Sequence, residues 1–565
     1  LVPETLAAFQ DAGSESGLRV AFVHLGRENL GIEYLSAVLR KEGHRVSLAY
    51  DPGLFGINDN VLYVSVLERI FDRRDRVRKE LEEANPEVVA FSVYTGTYRW
   101  ALDMASWARE RLGVPVVFGG IHPTLVPEEV VQRPQVDYVV VGEGEEALLE
   151  LLDHIESGKR PRRVANLWYR EGEEIISNPP RPPLGDLDAL PLPDKSLFQE
   201  EINYADDYLV LSARGCPYRC SYCCESYLGK LYQGQFFRRR SVTSVLQELK
   251  TMKERYGIRE VMFSDPIFFT HRRWLRELME RYRDEVGVPF RCFGKVSFLD
   301  DEVAEWLRWG GCYAIEFGLQ SWNPEIRREV LNRSESNAAY EKAFRILDRV
   351  GIRYDIDHMM GLPGESLQDY LEAVRFYGSL KRLNRIKPHH LTYFPKMEIL
   401  RQARNEGLLN QEEEERIVRG EEVHDFFHQA SAVDWIRDME VFLKILPLLP
   451  YRILSWVLRR EWWRGWRRCP AALVALFQWA VALRGRDYRF FLYLKYYLLR
   501  LRRALRLLPL PRALASAVIM GCASLATVPL GDRLKDAGVL HVAGILLGGA
   551  ALWNVWKSRR RSWPP

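Results

Sequence analysis

Short runs of consecutive apolar residues alternate with stretches whose apolar positions recur at helical spacing through most of this chain. Arg19-Val-Ala-Phe-Val23 reads as a buried strand, Gly31 to Glu42 as a helix and Val46 to Tyr50 as a second strand. The helical Val77 to Ala84 precedes a third strand, Val88 to Val93. Val114 to Phe118 and Tyr138 to Val141 are the fourth and fifth. Strands alternating with amphipathic helices predict βαβ units and a parallel sheet, here a Rossmann-like α/β domain over residues 15–155. Ligands of such sheets bind beyond the carboxyl ends of the strands. The loops there carry Glu28, Asn29 and Gly31, then Ser92 and Thr95, then Gly119, Gly120 and His122, and last Gly142, Glu143 and Gly144.

Periodicity then lapses. Asn178-Pro-Pro-Arg-Pro-Pro183 and Leu190-Pro-Leu-Pro193 mark a linker over 156–205. Six further βα units follow over 206–410, with strands at Tyr208–Ser212, Glu260–Ser264, Phe290–Gly294, Tyr313–Phe317, Tyr354–His358 and Pro388–Thr392. Between them, Val303, Trp306 and Leu307 recur at helical spacing, as do Ala343, Ile346 and Val350.

The 565 residues exceed what one domain holds, and 47% hydrophobic with 28% charged content excludes a disordered chain. A net charge of +4 gives no general argument for nucleic-acid binding. Four of the eight cysteines fall within nine residues and the rest are scattered, which points to a metal site in a reducing compartment rather than a disulfide framework. Leu1–Leu18 is a mixed stretch with no apolar leader, so the catalytic body is expected in the cytoplasm.

The clustered cysteines stand as Gly215-Cys-Pro-Tyr-Arg-Cys-Ser-Tyr-Cys-Cys224. Cys216, Cys220 and Cys223 can hold three irons of a [4Fe–4S] cluster, which normally takes four Cys ligands, and leave the fourth iron for another ligand. A structural zinc knuckle is the alternative, with Cys224 as fourth ligand.

This C-x-x-x-C-x-x-C segment resembles the radical S-adenosylmethionine (SAM) enzymes. The resemblance implies a partial (β/α)6 barrel, SAM on the open iron, and reductive cleavage of SAM to a 5′-deoxyadenosyl radical that abstracts hydrogen from an unactivated carbon. The electron donor would be a flavodoxin or ferredoxin. Tyr222 matches the aromatic position packed on the SAM adenine. Ser264-Asp265-Pro266 occupies the place of the family's Gly-Gly-Glu loop, and Glu316-Phe-Gly-Leu-Gln320-Ser321 looks like its Glu-Ser-Gly strand, so Ser264, Asp265, Glu316, Gln320 and Ser321 are expected around SAM. Met360-Gly-Leu-Pro-Gly-Glu365 matches the fifth-strand turn.

The first-domain loops Gly31-Ile-Glu-Tyr-Leu, Gly119-Gly-Ile-His-Pro-Thr and Val140-Val-Gly-Glu-Gly-Glu resemble the cobalamin-binding domain that precedes many radical SAM enzymes. Gly26 and Glu28 stand where cobalt-coordinating relatives carry Asp and His, so no histidine ligand is expected on the lower face. A Rossmann-like lid without cofactor is the alternative. Residues 15–410 together are similar to the cobalamin-binding radical SAM enzymes, which include hopanoid C-methylases and the anaerobic Mg-protoporphyrin monomethyl ester cyclase.

Beyond residue 430 lie nine of the sixteen Trp, interleaved with Arg as in Trp462-Trp-Arg-Gly-Trp-Arg-Arg468. Residues 411–510 read as partly amphipathic helices. Ala513–Leu530 and Val539–Trp556 are uncharged and long enough to span a bilayer, with basic residues outside both. They predict a membrane hairpin over 511–565, against a buried soluble hairpin. The leading expectation is cobalamin-dependent methylation of an unactivated carbon in a hydrophobic or lipid substrate. Alternatives are a cyclase or oxidase acting without methyl transfer and a membrane-tethered corrinoid carrier. A methylthiotransferase acting on transfer RNA would want cysteines for a second cluster in the first domain, which has none.

Overall fold

Two sheets follow one another along the chain, the first parallel but for an antiparallel hairpin at one edge and the second parallel throughout. The computed structural model describes residues 17–53, 72–233, 236–421 and 434–469, with four isolated positions between 474 and 481. All belong to one compact unit.

The first sheet holds β1 (Arg19–Leu25), β2 (Arg45–Asp51), β3 (Val88–Ser92), β4 (Val116–Gly119), β5 (Tyr138–Val140), β6 (Leu167–Glu171) and β7 (Glu174–Ser177) in the order β2-β1-β3-β4-β5-β6-β7. The first five strands run parallel. Val88, Val89, Ala90 and Phe91 are buried, as befits a central parallel strand covered on both faces. β6 and β7 add an antiparallel hairpin to the edge, so the sheet continues past residue 155 into the expected linker. The helix Leu30–Lys41 starts where the Asn29 side chain accepts a hydrogen bond from the Ile32 N–H at 3.1 Å.

The second sheet holds β8 (Tyr208–Val210), then, after the short antiparallel pair β9 (Ala213–Arg214) and β10 (Arg238–Arg239), β11 (Val261–Phe263), β12 (Phe290–Gly294), β13 (Cys312–Gln320), β14 (Arg353–Met360) and β15 (Leu383–His390). Its order, β15-β14-β13-β12-β11-β8, is all parallel and follows the chain without a break. Six strands in that order make the expected partial barrel, open between β8 and β15. Helix Asp434–Ile445 packs along β15 through the buried Met439, Phe442 and Leu443 and covers that edge.

β15 ends before Thr392 and begins five residues earlier than its apolar pattern suggested. Arg385, Lys387 and His389 alternate with Ile386 and the buried His390 along it, so charged residues hide the strand period. Its Pro388 is tolerated because β15 is an edge strand.

The proposed hairpin, residues 511–565, lies outside the described residues, as do Ala513–Leu530 and Val539–Trp556. Among the described residues no helix is long and apolar enough to cross a membrane.

A cavity between the glycine loops and the cysteine loop

A cavity of about 410 Å³ opens at the carboxyl end of the first sheet and is closed from the other side by the cysteine-loop region. Gly31, Ser92, Gly119, Gly120, Gly142, Glu143 and Gly144, all expected around cobalamin from the sequence, line it. Ala213, Arg214 and Gly215, immediately before Cys216, form the facing wall with Glu225, Leu228 and Ser264.

The glycines act in different ways. A Cβ on Gly119 would touch protein only at 3.9–4.0 Å, so a side chain there would project into the cavity. Gly120 has φ +95°, and a Cβ would meet the backbone N and O of Val93 at 2.8 Å, so it serves the chain's own turn. Gly142, at φ +82°, leaves no room for a Cβ beside the Tyr232 hydroxyl.

Glu143 is clamped across the two halves. It accepts from Arg238 at 2.7 and 3.0 Å and from the Leu184 N–H at 2.8 Å, while Arg214 bridges to Glu145 at 2.6 Å. Burial works against its charge, but the hydrogen bonds from Arg238 and the charges of Arg214 and Arg238 hold Glu143 below the usual carboxylate range. Glu225, on the cavity wall, has one buried carboxylate oxygen without a partner among the described residues.

Four expected contacts are engaged elsewhere. Glu28 pairs with the buried Lys195 at 2.6 Å, and Lys195 also reaches Glu33 at 2.8 Å. Thr95 and His122 bond each other at 3.1 Å, and the fully buried His122 ring packs on Tyr98. Burial lowers the His122 pKa to about 3. Both carboxylate oxygens of Asp265 accept from Ser212, from its N–H at 2.9 Å and its hydroxyl at 3.0 Å. Asn29 stays at the cavity edge, donating to the Ser92 hydroxyl at 3.1 Å.

The cysteine loop is pinned from outside. The Ser221 N–H donates to the Leu331 carbonyl at 3.2 Å, and Asn332 donates to the Arg219 carbonyl at 2.7 Å. These partners follow a π-helical turn, Ile326–Val330, a deformation frequent at functional sites. Cys223 occupies the position before the helix Cys224–Leu231, with no capping bond from its side chain. Burial raises the Cys216 thiol to about 11, and the nearby Cys223 and Cys220 add to the rise. Burial likewise raises Cys220, while Arg333 and Lys295 pull it back. The three thiols thus lie within electrostatic reach of one another beside two cations. Among the described residues no three His, Cys, Asp or Glu gather tightly enough to hold a single metal ion. Cys216, Cys220 and Cys223 offer three thiolate donors, the ligand chemistry of a [4Fe–4S] cluster with one iron left open.

Around the expected SAM position, the Tyr222 hydroxyl accepts from Arg333 at 3.2 Å. Gln320 ends β13 in a left-handed conformation (φ 68°), with its buried Oε1 unpartnered among the described residues. Ser321 donates to Glu365. Glu316 pairs with Lys387 and hydrogen-bonds Asp357, whose acid is pushed well above its usual range by burial and then by the Glu316 charge. Sequence reasoning missed Arg214, Arg238, Tyr232, Lys195, Arg333 and Lys387, because each matters through a partner distant in the chain.

Known proteins agree with this arrangement. Residues 20–152 match the B12 binding domain and residues 210–377 the Radical SAM superfamily. An uncharacterized methyltransferase of Pyrococcus horikoshii is 26% identical over 353 residues, 61% of this chain and 72% of the relative. The anaerobic magnesium-protoporphyrin IX monomethyl ester cyclase of Cereibacter sphaeroides is 25% identical over 386 residues, 63% of this chain and 59% of the cyclase. The fold is similar to that of the radical SAM methyltransferase TsrM from Kitasatospora setae, solved with cobalamin and a [4Fe-4S] cluster bound. The match has a TM-score of 0.54 at 18% identity and covers 69% of this chain and 75% of that one. With a B12 binding domain followed by a Radical SAM domain, this chain belongs to the cobalamin-binding radical SAM enzymes, whose cofactors are cobalamin, a [4Fe–4S] cluster and SAM.

Proposed function

We propose that this enzyme methylates an unactivated carbon of a hydrophobic, membrane-associated substrate such as a lipid. One cavity supports the reading: Gly119 and Gly144 on one wall and Ala213–Gly215, next to Cys216, on the other would set the two cofactors against one chamber. When bound, cobalamin supplies the methyl group and the cluster with SAM supplies the radical. The chain's own residues hold and shield these groups. Tyr222, Ser264, Glu316, Gln320 and Ser321 are the proposed SAM contacts, with Gln320 Oε1 offering an acceptor. Leu35, Phe91, Val140, Leu148, Leu228 and Phe236 exclude water from the cavity. A low-potential donor such as flavodoxin or ferredoxin is required. The apolar character of the cavity and the uncharged segments Ala513–Leu530 and Val539–Trp556 favour a greasy substrate at the bilayer.

The relative from Cereibacter sphaeroides supports a second reading, radical cyclisation or oxidation without methyl transfer. Anaerobic incubation of the reconstituted enzyme with SAM labelled in its methyl group and a membrane lipid extract separates the two. Label entering an extractable lipid supports methylation; 5′-deoxyadenosine and a modified product without label support the cyclase reading. Neither result with any lipid fraction removes the lipid substrate.

A further inference from the structure

We propose that the outward face of helix Tyr451–Arg459, together with Trp462, is a docking surface that lies flat on an anionic lipid bilayer. The helix buries Leu454 and Val457 against helix Leu367–Ser379, where Gly378 leaves room for the Leu454 side chain. The opposite face is turned outward with large apolar groups on it: Tyr451 is 61% exposed, Ile453 47%, Trp456 45% and Trp462 59%. Trp456 and Trp462 pack on each other with ring centroids 4.3 Å apart. Scattered single apolar residues on a surface need no explanation, but two exposed Trp packed on each other, with the exposed Ile453 one turn from Trp456, mark an interaction site.

Charge decides what covers it. Arg452, Arg459 and Arg460 share this face, all exposed and without an acidic partner among the described residues; Glu461 is paired with Arg464 at 2.7 Å. The bias extends along the chain. Residues 451–512 hold fifteen Lys and Arg against two Asp and Glu, a net of +13 that leaves −9 for the rest of a chain whose total is +4. A cationic face that presents Trp, Tyr and Ile between its arginines fits the lipid interface. There the aromatic rings sit at headgroup level and each cation adds attraction to anionic lipid. Nucleic acid would use the arginines but would leave Ile453 and the Trp pair in water unless bases stack on them. Packing of the chain's own apolar stretches Ala513–Leu530 and Val539–Trp556 on this face would bury the rings, but neither stretch carries an acid to meet the three arginines.

The inference rests on the reading of a membrane-borne substrate, which requires the enzyme to come to the bilayer, but its test reads binding and not product. The full-length, anaerobically reconstituted enzyme is sedimented with sucrose-loaded vesicles of phosphatidylcholine, alone or with phosphatidylglycerol. Two variants accompany it, Arg459→Glu/Arg460→Glu and Trp456→Ser/Trp462→Ser. Their iron content and melting temperature report folding, and Arg452→Glu is held in reserve for a variant that fails either check.

Binding should need phosphatidylglycerol and weaken with salt. It should fall by about 25-fold or more in the double arginine variant, at about fivefold per cation, and fall in the tryptophan variant as well. Three results would each overturn the surface: no vesicle binding by the unaltered enzyme, binding in both variants equal to the unaltered enzyme, or preferential binding of single-stranded RNA over vesicles. None of these bears on methyl transfer to an extracted lipid, so the surface and the substrate class fail separately.

Discussion

The Tyr232 hydroxyl, which follows the cysteine-loop helix, accepts a hydrogen bond from the backbone N–H of Glu143 at 2.7 Å, closing the cobalamin loop against the radical SAM half. Gly142 is glycine in part because that hydroxyl fills the space its Cβ would need. Replacing Tyr232 by Phe leaves a partly buried N–H without an acceptor, at a cost of about 1–3 kcal/mol. The expected result is a several-fold to hundredfold loss in hydroxocobalamin affinity by absorbance titration, with iron content unchanged. Equal affinity in the variant would show that the contact does not shape the loop.

Gly119 and Gly120 are adjacent, yet their substitution should have opposite signatures. Gly119→Phe places a ring in the cavity without meeting protein at its Cβ. It should fold with nearly the original melting temperature and carry no corrinoid through gel filtration. Gly120→Ala forces a Cβ against Val93 in a backbone conformation few residues adopt, and should lose about 1–3 kcal/mol of stability. Corrinoid retention by a folded Gly119→Phe protein would mean that the cofactor does not sit over this strand end.

How much of this could be read beforehand depends on distance along the chain. The cysteine spacing and the glycine turns are local patterns and were legible, as were strands such as β3 that are buried on both faces. β15 was displaced because Arg385, Lys387 and His389 interrupt its apolar run. The β6–β7 hairpin escaped because Glu174, Ile175 and Ser177 are exposed and its pattern is that of a polar edge. His122 and Glu28 looked like cofactor contacts from their place in the loops. Their partners, Thr95 and Lys195, lie 27 and 167 residues away, and only the folded chain shows that they are already engaged. The Glu143–Arg238 clamp, 95 residues apart, was invisible for the same reason.

Cys224 adjoins the proposed third cluster ligand but opens a helix, where it packs against the apolar core. Ala at Cys216, Cys220 or Cys223 should lower iron content after reconstitution and abolish 5′-deoxyadenosine formation from SAM. Cys224→Ala should retain most of both, because the fourth iron is left to SAM. SAM cleavage by a Cys220→Ala protein would sink the three-ligand assignment.

Lys195 is the buried junction between the two halves. Its ammonium lies 2.6 Å from Glu28 and 2.8 Å from Glu33, donates to the Leu209 carbonyl on β8 at 3.2 Å and sits over the Tyr208 ring. Burial opposes its charge, but the two carboxylates raise its pKa; burial in turn pushes the Glu33 acid well above its usual range, against the pull of Lys195. Lys195→Met removes the only cation shown paired with these two acids and should cost about 3–5 kcal/mol. The pH dependence follows from the sign of the shift. Without Lys195 the Glu33 carboxyl, already raised by burial, has a folded-state pKa raised further above the ordinary value of about 4.3. Its protonated form is then compatible with the native state at low pH, and stability is lost as pH rises through the raised value. The variant's melting deficit should therefore be smaller near pH 5 than near pH 8. Adding Glu28→Gln and Glu33→Gln to Lys195→Met should recover much of the loss and flatten its pH dependence. A deficit equal at both pH values would assign the cost to lost packing on Tyr204 and Tyr208 rather than to the uncompensated carboxyls.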